Sequence, residues 1–290
     1  MYDVIIIGKG PAGLSAALYT VRAKLKTMVI GKNNSWLAKA EKIDNYFGFA
    51  ESVSGPFLLE QGEKQAIRLG TEILIDEVVS VVKNDFFEVL TSDGKFTAKS
   101  VLLATGQPQR KVKIQNLTEF EGRGVSYCST CDGFFYNNLK VGVLGFKDFA
   151  IHEAMELEAY TNDITVYTNG NSPEYTEKFR SDIERFRIVT KPIQKIDGGE
   201  FLQRIHFSDG TSEELEGMFV AYDSASSADF ARKLGIIVDE SNIIVDRNQQ
   251  TNMDGVFAAG DCTGGFKQIS TAVGSGALAG KKIIEYVRSY

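Results

Sequence analysis

The chain opens on an apolar run, "MYDVIII", that reads as a strand covered on both faces in a parallel sheet. "GKGPAG" follows, then "PAGLSAALYTVRAK" with helical spacing of its apolar residues, then a second apolar run, "TMVIG". The pattern predicts strand, tight turn, helix and strand within about 30 residues. From 72 to 103 the positions alternate, which predicts a small antiparallel layer with "SDG" as a hairpin turn between "FFEVL" and "KFTAKSVLLATG". The polar stretch "QPQRKVK", carrying Pro108, marks a linker into a second domain. Beyond it an apolar strand is predicted over Val141 to Leu144 and a helix from near Asp148, followed by strand-rich sequence to about residue 243. The end of the chain reads as a strand, a glycine-rich turn and a long helix, in which Gly274, Gly276 and Gly280 lower propensity but permit close packing.

A chain of 290 residues is long for one compact core, so two domains are expected. The net charge of −6 argues against nucleic-acid binding, which needs a basic footprint to displace counterions from phosphates. No run approaches the roughly 20 apolar residues of a membrane helix, and the N-terminus enters a strand without a basic leader, so no membrane association and a cytoplasmic location are expected. Three cysteines cannot build a disulfide framework, and a close pair in a reducing compartment points to redox chemistry or a metal.

Gly8, Gly10 and Gly13 stand at the full spacing of a dinucleotide fingerprint, between a strand and a helix, and Pro11 suits the first helical turn. The acidic residue expected about 20 positions on, to hold a ribose, is absent; Gly31 and Lys32 stand there, so ribose contacts fall to backbone or to Lys32. A second copy of the frame begins at Gly145 but reads "GFKDFA", with Lys147 where a glycine would let the backbone approach a pyrophosphate.

"YCSTCDGFFY" sets Cys128 and Cys131 three apart, close enough for a small disulfide ring that exchanges readily. The alternative is half a zinc site, but there is no second such pair and only His152 and His206 are available, so no metal is expected. Asp132, directly after the pair, is either an N-cap or a proton donor and acceptor for the leaving thiolate.

In order and spacing, "GKGPAGLSAALYTVRA", "IDNYFGF", "ATG", "CSTCDGFFY", "AAGDC" and "QISTAVGSGALAG" resemble the low-molecular-weight, bacterial-type thioredoxin reductases across essentially the whole chain. The resemblance implies an α/β fold of two Rossmann-like three-layer ββα domains: a discontinuous FAD domain, 1–112 with 244–290, and an inserted smaller domain, 113–243, that carries the redox disulfide on a degenerate NAD(P)H-type fold. By the same resemblance FAD would be held by Gly8, Gly10, Pro11, Ala12, Gly13, Lys32, Leu37, Asn45, Ala104, Thr105, Gly106, Gly260, Asp261, Lys267, Gln268 and Ile269, with the pyrophosphate over the first glycine turn and Asp261 on the ribityl chain. Cys131 would be the thiol beside the flavin, Cys128 the one that attacks thioredoxin and Asp132 the acid and base. Cys262 matches no family role and reads as small apolar filling. The family also implies a homodimer.

Three features by which the family binds NADPH are altered. The glycine turn carries Phe146 and Lys147; the strand after the helix ends in Tyr167, Thr168 and Asn169 with no cation for a 2′-phosphate; and a later glycine turn is replaced by "VAYDSASSA". A charge-assisted hydrogen bond contributes about 1.5 to 3 kcal/mol, so losing two costs on the order of a hundredfold in affinity. NADPH is therefore not expected. In this respect the chain is similar to the ferredoxin-dependent flavin thioredoxin reductases, which implies reduced ferredoxin as donor and thioredoxin as acceptor. An acidic ferredoxin wants a basic patch, for which Arg22, Lys24 and Lys26, Lys39 and Lys42, and Arg110, Lys111 and Lys113 are candidates. Trp36 either covers the flavin ring or packs a loop. The rival readings are an NADPH enzyme with a degenerate site, a diflavin disulfide oxidoreductase with a second flavin in the vacated pocket, and a non-catalytic flavoprotein.

Overall fold

The computed structural model describes residues 1–107 and 112–289. Two compact units emerge, Met1–Gln109 with Ser226–Tyr290, and Arg110–Ala225. The first begins with β1 (Tyr2–Ile7), α1 (Pro11–Arg22), β2 (Thr27–Ile30), α2 (Gly55–Arg68), β3 (Glu72–Leu74), β4 (Val78–Lys83), β5 (Phe87–Thr91) and β6 (Lys95–Leu103). The second holds β7 (Val125–Ser126), α3 (Ser129–Asp132), β8 (Val141–Leu144), α4 (Asp148–Leu157), β9 (Ile164–Tyr167), α5 (Arg180–Ile183), β10 (Arg187–Val189), β11 (Ile193–Gly198), β12 (Leu202–Phe207), β13 (Ser212–Glu214) and β14 (Gly217–Val220). The chain then returns to the first unit with α6 (Ser227–Lys233), β15 (Val238–Asp239), β16 (Asn242–Ile243), β17 (Val256–Ala258) and α7 (Ile269–Ser289).

In the first unit β1 lies parallel between β2 and β6, and β17 joins the C-terminal end of β6, also parallel. Val4 to Ile7 are buried because the sheet is covered on both sides, which is why the strand carries no polar alternation. One covering layer is α1 against α7. Their backbones touch: a β-carbon at Gly276 would run into the Ala12 carbonyl, and one at Gly280 would come within 2.8 Å of the Ala16 carbonyl. The α7 glycines thus give up helix propensity for close approach.

The alternating stretch from 72 to 103 is not a separate layer. β3 pairs parallel with β2 and extends the main sheet, while β4, β5 and β6 pair antiparallel in sequence. β6 serves both arrangements, with Lys95 to Ala98 on β5 and Ala98 to Leu103 on β1. Its nine residues, about 30 Å of extended chain, are long enough to be shared.

The second unit has a five-stranded parallel sheet in the order β10-β9-β8-β14-β7 and a three-stranded sheet, β11-β12-β13. Its core gathers Leu144, Tyr167, Ile196, Ile205, Phe207 and Met218 with their neighbours. The return to the first unit comes at Ser226, earlier than the expected residue 244. The cause is packing that sequence periodicity does not reveal. The Ser227 amide donates to Thr105 Oγ1 at 2.9 Å, the Thr105 amide donates to Ser227 Oγ at 3.1 Å, α6 packs on β4, and the β15–β16 hairpin packs on the turn at Asp261–Thr263. Among the described residues no helix is long and apolar enough to cross a membrane.

Candidate functional site

The first glycine turn joins β1 to α1 and is built for backbone contact. A β-carbon at Gly8 would run into the Ala104 carbonyl at the end of β6, and one at Gly13 would run into the Gly8 carbonyl. Gly8 sits at φ 120°, a conformation that side chains rarely adopt. Gly10 differs: a β-carbon there would meet nothing within 4 Å, so its face opens outward. Gly10 caps α1 without a side-chain bond, Pro11 opens the helix, and no acidic residue lies in the first turn. Free helix N–H groups behind an open glycine fit a pyrophosphate, because the backbone dipole and the donors both favour an anion there.

Several other residues expected at the flavin lie in the same unit. Asn45 Nδ2 donates to Gln268 Oε1 at 3.0 Å, which ties the 310-containing loop after β2 to the start of α7. Asp261 is partly buried, and burial pushes its carboxyl above the usual range while Lys267 pulls it back. Gln107 Nε2 donates to the Asp261 carbonyl at 2.6 Å. Gly260 is at φ 82° beside the Ala12 side chain, and its amide donates to Ser275 Oγ at 3.0 Å. The Lys32 ammonium pairs with Glu77. On α2, Glu63 pairs with the buried Lys9, beside a cavity of about 200 Å³ that Asn33, Ser35 and Pro56 also line. Glu63 is distant in sequence, and the fingerprint carries no signal for it.

The second glycine turn, between β8 and α4, keeps the frame and fills the opening. A β-carbon at Gly145 would run into the Ala221 carbonyl at the end of β14, as at Gly8. Phe146 is fully buried and packs edge-on against Tyr222, with ring centroids 5.3 Å apart. Lys147, in the place of Gly10, pairs with Asp223 and lies 3.7 Å from Glu174. Asp148, 2% exposed, opens α4 and accepts from the Thr176 amide and Thr176 Oγ1, both at 2.8 Å. Glu174 donates its amide to the Phe146 carbonyl at 2.7 Å. The segment after β9 is thereby laced to the helix N-terminus, and Asp148 puts a negative charge where a phosphate would have to come. β9 ends in Tyr167, whose buried hydroxyl donates to Glu213 at 3.0 Å. Thr168 Oγ1 donates to the Asn171 carbonyl at 2.6 Å, and Asn169 Oδ1 accepts from the Ile193 amide at 2.7 Å. The sequence shows the cations missing from this strand end; it does not show that hydroxyl and amide side chains there bond within the unit.

Cys128 and Cys131 form a disulfide across the first turn of α3. Cys128 is the N-cap, its sulfur accepting the Cys131 amide at 3.1 Å; Cys128 is buried and Cys131 exposed. Asp132 makes no cap bond. Its Oδ2 accepts from Ser126 Oγ at 2.6 Å, and that same hydroxyl accepts from the Cys128 amide at 3.1 Å. Of the two roles open to Asp132, the geometry leaves an oriented carboxyl beside the disulfide. Ser126, buried at the end of β7, is a site residue that the sequence did not single out.

Cys262 is buried, its thiol donates toward the Leu103 and Ala259 carbonyls, and burial pushes its pKa up to about 11, as befits filling and not reactivity. His206 bonds Asp197 at 2.6 Å. Among the described residues, His152, Glu153 and Glu156 bring ligand-type atoms within 4.8 Å, but both carboxylates already accept from α3. Trp36 is exposed, and the Lys39 ammonium stands 4.7 Å over its ring. Of the basic candidates, Arg22, Lys24, Lys26 and Lys113 are exposed, Lys42 pairs with Asp44 at 3.2 Å, and Arg110 and Lys111 lie outside the described residues.

The chain matches the family "Pyridine nucleotide-disulphide oxidoreductase" over residues 2–276. The thioredoxin reductase of Rickettsia felis is 34% identical, over 98% of this chain and 97% of its own. That of Peptoclostridium acidaminophilum is 33% identical, over 100% and 98%. Among solved structures, the atypical thioredoxin reductase TRi from Desulfovibrio vulgaris Hildenborough is 41% identical with a TM-score of 0.96, covering 100% of this chain and 99% of its own. A ferredoxin-flavin thioredoxin reductase from Clostridium acetobutylicum is 28% identical with a TM-score of 0.71, over 100% and 99%.

Proposed function

The chain belongs to the thioredoxin reductases of the pyridine nucleotide-disulphide oxidoreductase family, and from that premise we propose that it reduces thioredoxin through Cys128 and Cys131 with electrons from reduced ferredoxin in place of NADPH. The observation that carries the choice of donor is the second glycine turn. There Lys147, paired with Asp223, stands where a glycine would let a pyrophosphate approach, and Asp148, bonded to Thr176, sets a carboxylate in the first turn of the helix. The solved ferredoxin-flavin enzyme from Clostridium acetobutylicum supports the same reading by likeness.

FAD fits the first unit, where the Gly8–Gly13 turn would hold its pyrophosphate and Asp261, Asn45 and Gln268 its remaining polar groups. When bound, the flavin supplies what no side chain can, acceptance of electrons one at a time and their delivery as a pair. The rest falls to the protein. Cys131 takes the electron pair as the Cys128–Cys131 bond opens; Cys128, buried here, has to become accessible before its thiolate attacks the thioredoxin disulfide. Asp132, aimed by Ser126, moves the proton at the departing sulfur.

The test is anaerobic titration of the purified flavoprotein, first with NADPH and then with reduced ferredoxin and thioredoxin. The expected result is no bleaching of the flavin by the first and thioredoxin reduction with the second. Rapid bleaching by NADPH would overturn the choice of donor, and a flavin-to-protein ratio near two would favour the diflavin alternative.

A further inference from the structure

The N-terminal turn of the disulfide helix α3 meets two carboxylates from α4. The Ser129 amide donates to Glu153 Oε2 at 3.3 Å, Ser129 Oγ donates to Glu156, and Thr130 Oγ1 donates to Glu156 Oε2 at 3.0 Å. Glu153 is 2% exposed and sits on the helix face that turns toward Ser129. His152 Nδ1 lies 3.4 Å from Glu156 and 4.0 Å from Glu153, and Asp132 adds a further carboxyl at the other end of α3. Neither glutamate takes any role in the chemistry described so far.

In small dithiol motifs the positive end of the helix stabilises the thiolate of the first cysteine, which stabilises the reduced form and makes the pair a better oxidant. Here that end faces negative charge instead. We propose that Glu153, seconded by Glu156, is a positioning residue whose charge disfavours the Cys128 thiolate and so keeps the Cys128–Cys131 couple strongly reducing. The reaction concerned is the two-electron, two-proton opening of the disulfide to two thiols, with an external dithiol oxidised to its own disulfide. The inference rests on the reading of this disulfide as the redox pair and is independent of the electron donor.

Glu153→Gln keeps the size and an oxygen that can accept the Ser129 amide, and it removes only the charge. The holoenzyme and this variant are equilibrated at pH 7 against graded mixtures of reduced and oxidised dithiothreitol, quenched in acid, alkylated with a maleimide and read by mass. The expected result is a shift of the equilibrium toward the dithiol by about fivefold, or about 20 mV for a two-electron couple. Glu156→Gln shifts it the same way by less, and it carries the test if Glu153→Gln loses its flavin or its cooperative melt. An unchanged equilibrium constant in a folded variant overturns the inference. A wild-type pair that does not equilibrate with dithiothreitol at all removes the redox-pair reading beneath it.

Discussion

The β1–α1 and β8–α4 turns are two uses of one frame. Both begin with a glycine pressed against the carbonyl of a neighbouring strand end, Ala104 in one and Ala221 in the other, so neither has room for a β-carbon, although only Gly8 takes a positive φ. The divergence comes at the third position of the turn. Gly10 faces open space, whereas Lys147 sends its stem across the turn to Asp223. The next residue widens the gap, since Pro11 leaves the helix N-terminus electrically bare and Asp148 neutralises it from within. The frame is therefore a packing solution that both units share. Strand, turn and helix remain because they make the core, while the ligand-facing positions are free to change.

Substitutions that separate packing from ligand contact test this difference, and the largest effect belongs to Gly13→Val. Its side chain would run into the Gly8 carbonyl, so the first unit should fail to close, with stability falling by more than about 4 kcal/mol and the protein recovered without flavin absorbance. Next comes Phe146→Ala in the second unit. The loss of a fully buried ring is expected to cost about 3 to 5 kcal/mol in urea unfolding, without conferring reduction by NADPH. If that variant bleached with NADPH, bulk alone would have been the obstacle and the Asp148–Thr176 lacing irrelevant.

Lys147→Met should cost less, about 1 to 3 kcal/mol, since Asp223 is left largely buried without its ammonium. Gly10→Ala is the counterpart in the open turn. Its melting behaviour without flavin should match the parent within about 0.5 kcal/mol, while flavin content at purification drops if, as proposed, the phosphate approaches the open face that the added methyl would occupy.

The smallest effect is in pH. At the end of β9, hydrogen bonding from Arg187 holds the Glu213 carboxyl below its ordinary value, with Tyr167 assisting and burial opposing. A lowered carboxyl contributes stability that is present above its unfolded pKa and lost as pH falls through the folded value, so the decline sets in below about pH 4.5. The pair is partly exposed and its contribution is under about 1 kcal/mol. Urea midpoints at pH 7 and pH 3.5 should differ less in Glu213→Gln than in the parent.

Much of this was legible in the chain. Apolar runs and glycine spacing placed β1, α1, β8 and α4, because a strand buried on both faces and a tight turn leave local marks. Two cysteines three apart announced a disulfide, which is present. The branching of β6, the return at Ser226 and the lacing of Thr176 to Asp148 left no such marks, since each depends on partners tens of residues away. Only the Ser226–Asp229 capping box, spelled out within "SASSAD", offered a local hint of α6.

By itself, then, the sequence determined which backbone turns this protein makes and that the second lacks glycine at its ligand-facing position, since steric demands on a turn are written in adjacent residues. Tertiary structure alone decided which partners the charged and polar side chains found: Lys147 with Asp223, Thr176 with Asp148, Ser126 with Asp132, Glu153 with the disulfide helix. Hydrogen bonds and ion pairs between distant segments exist only once the core has brought those segments together, so nothing local in the chain could have specified them.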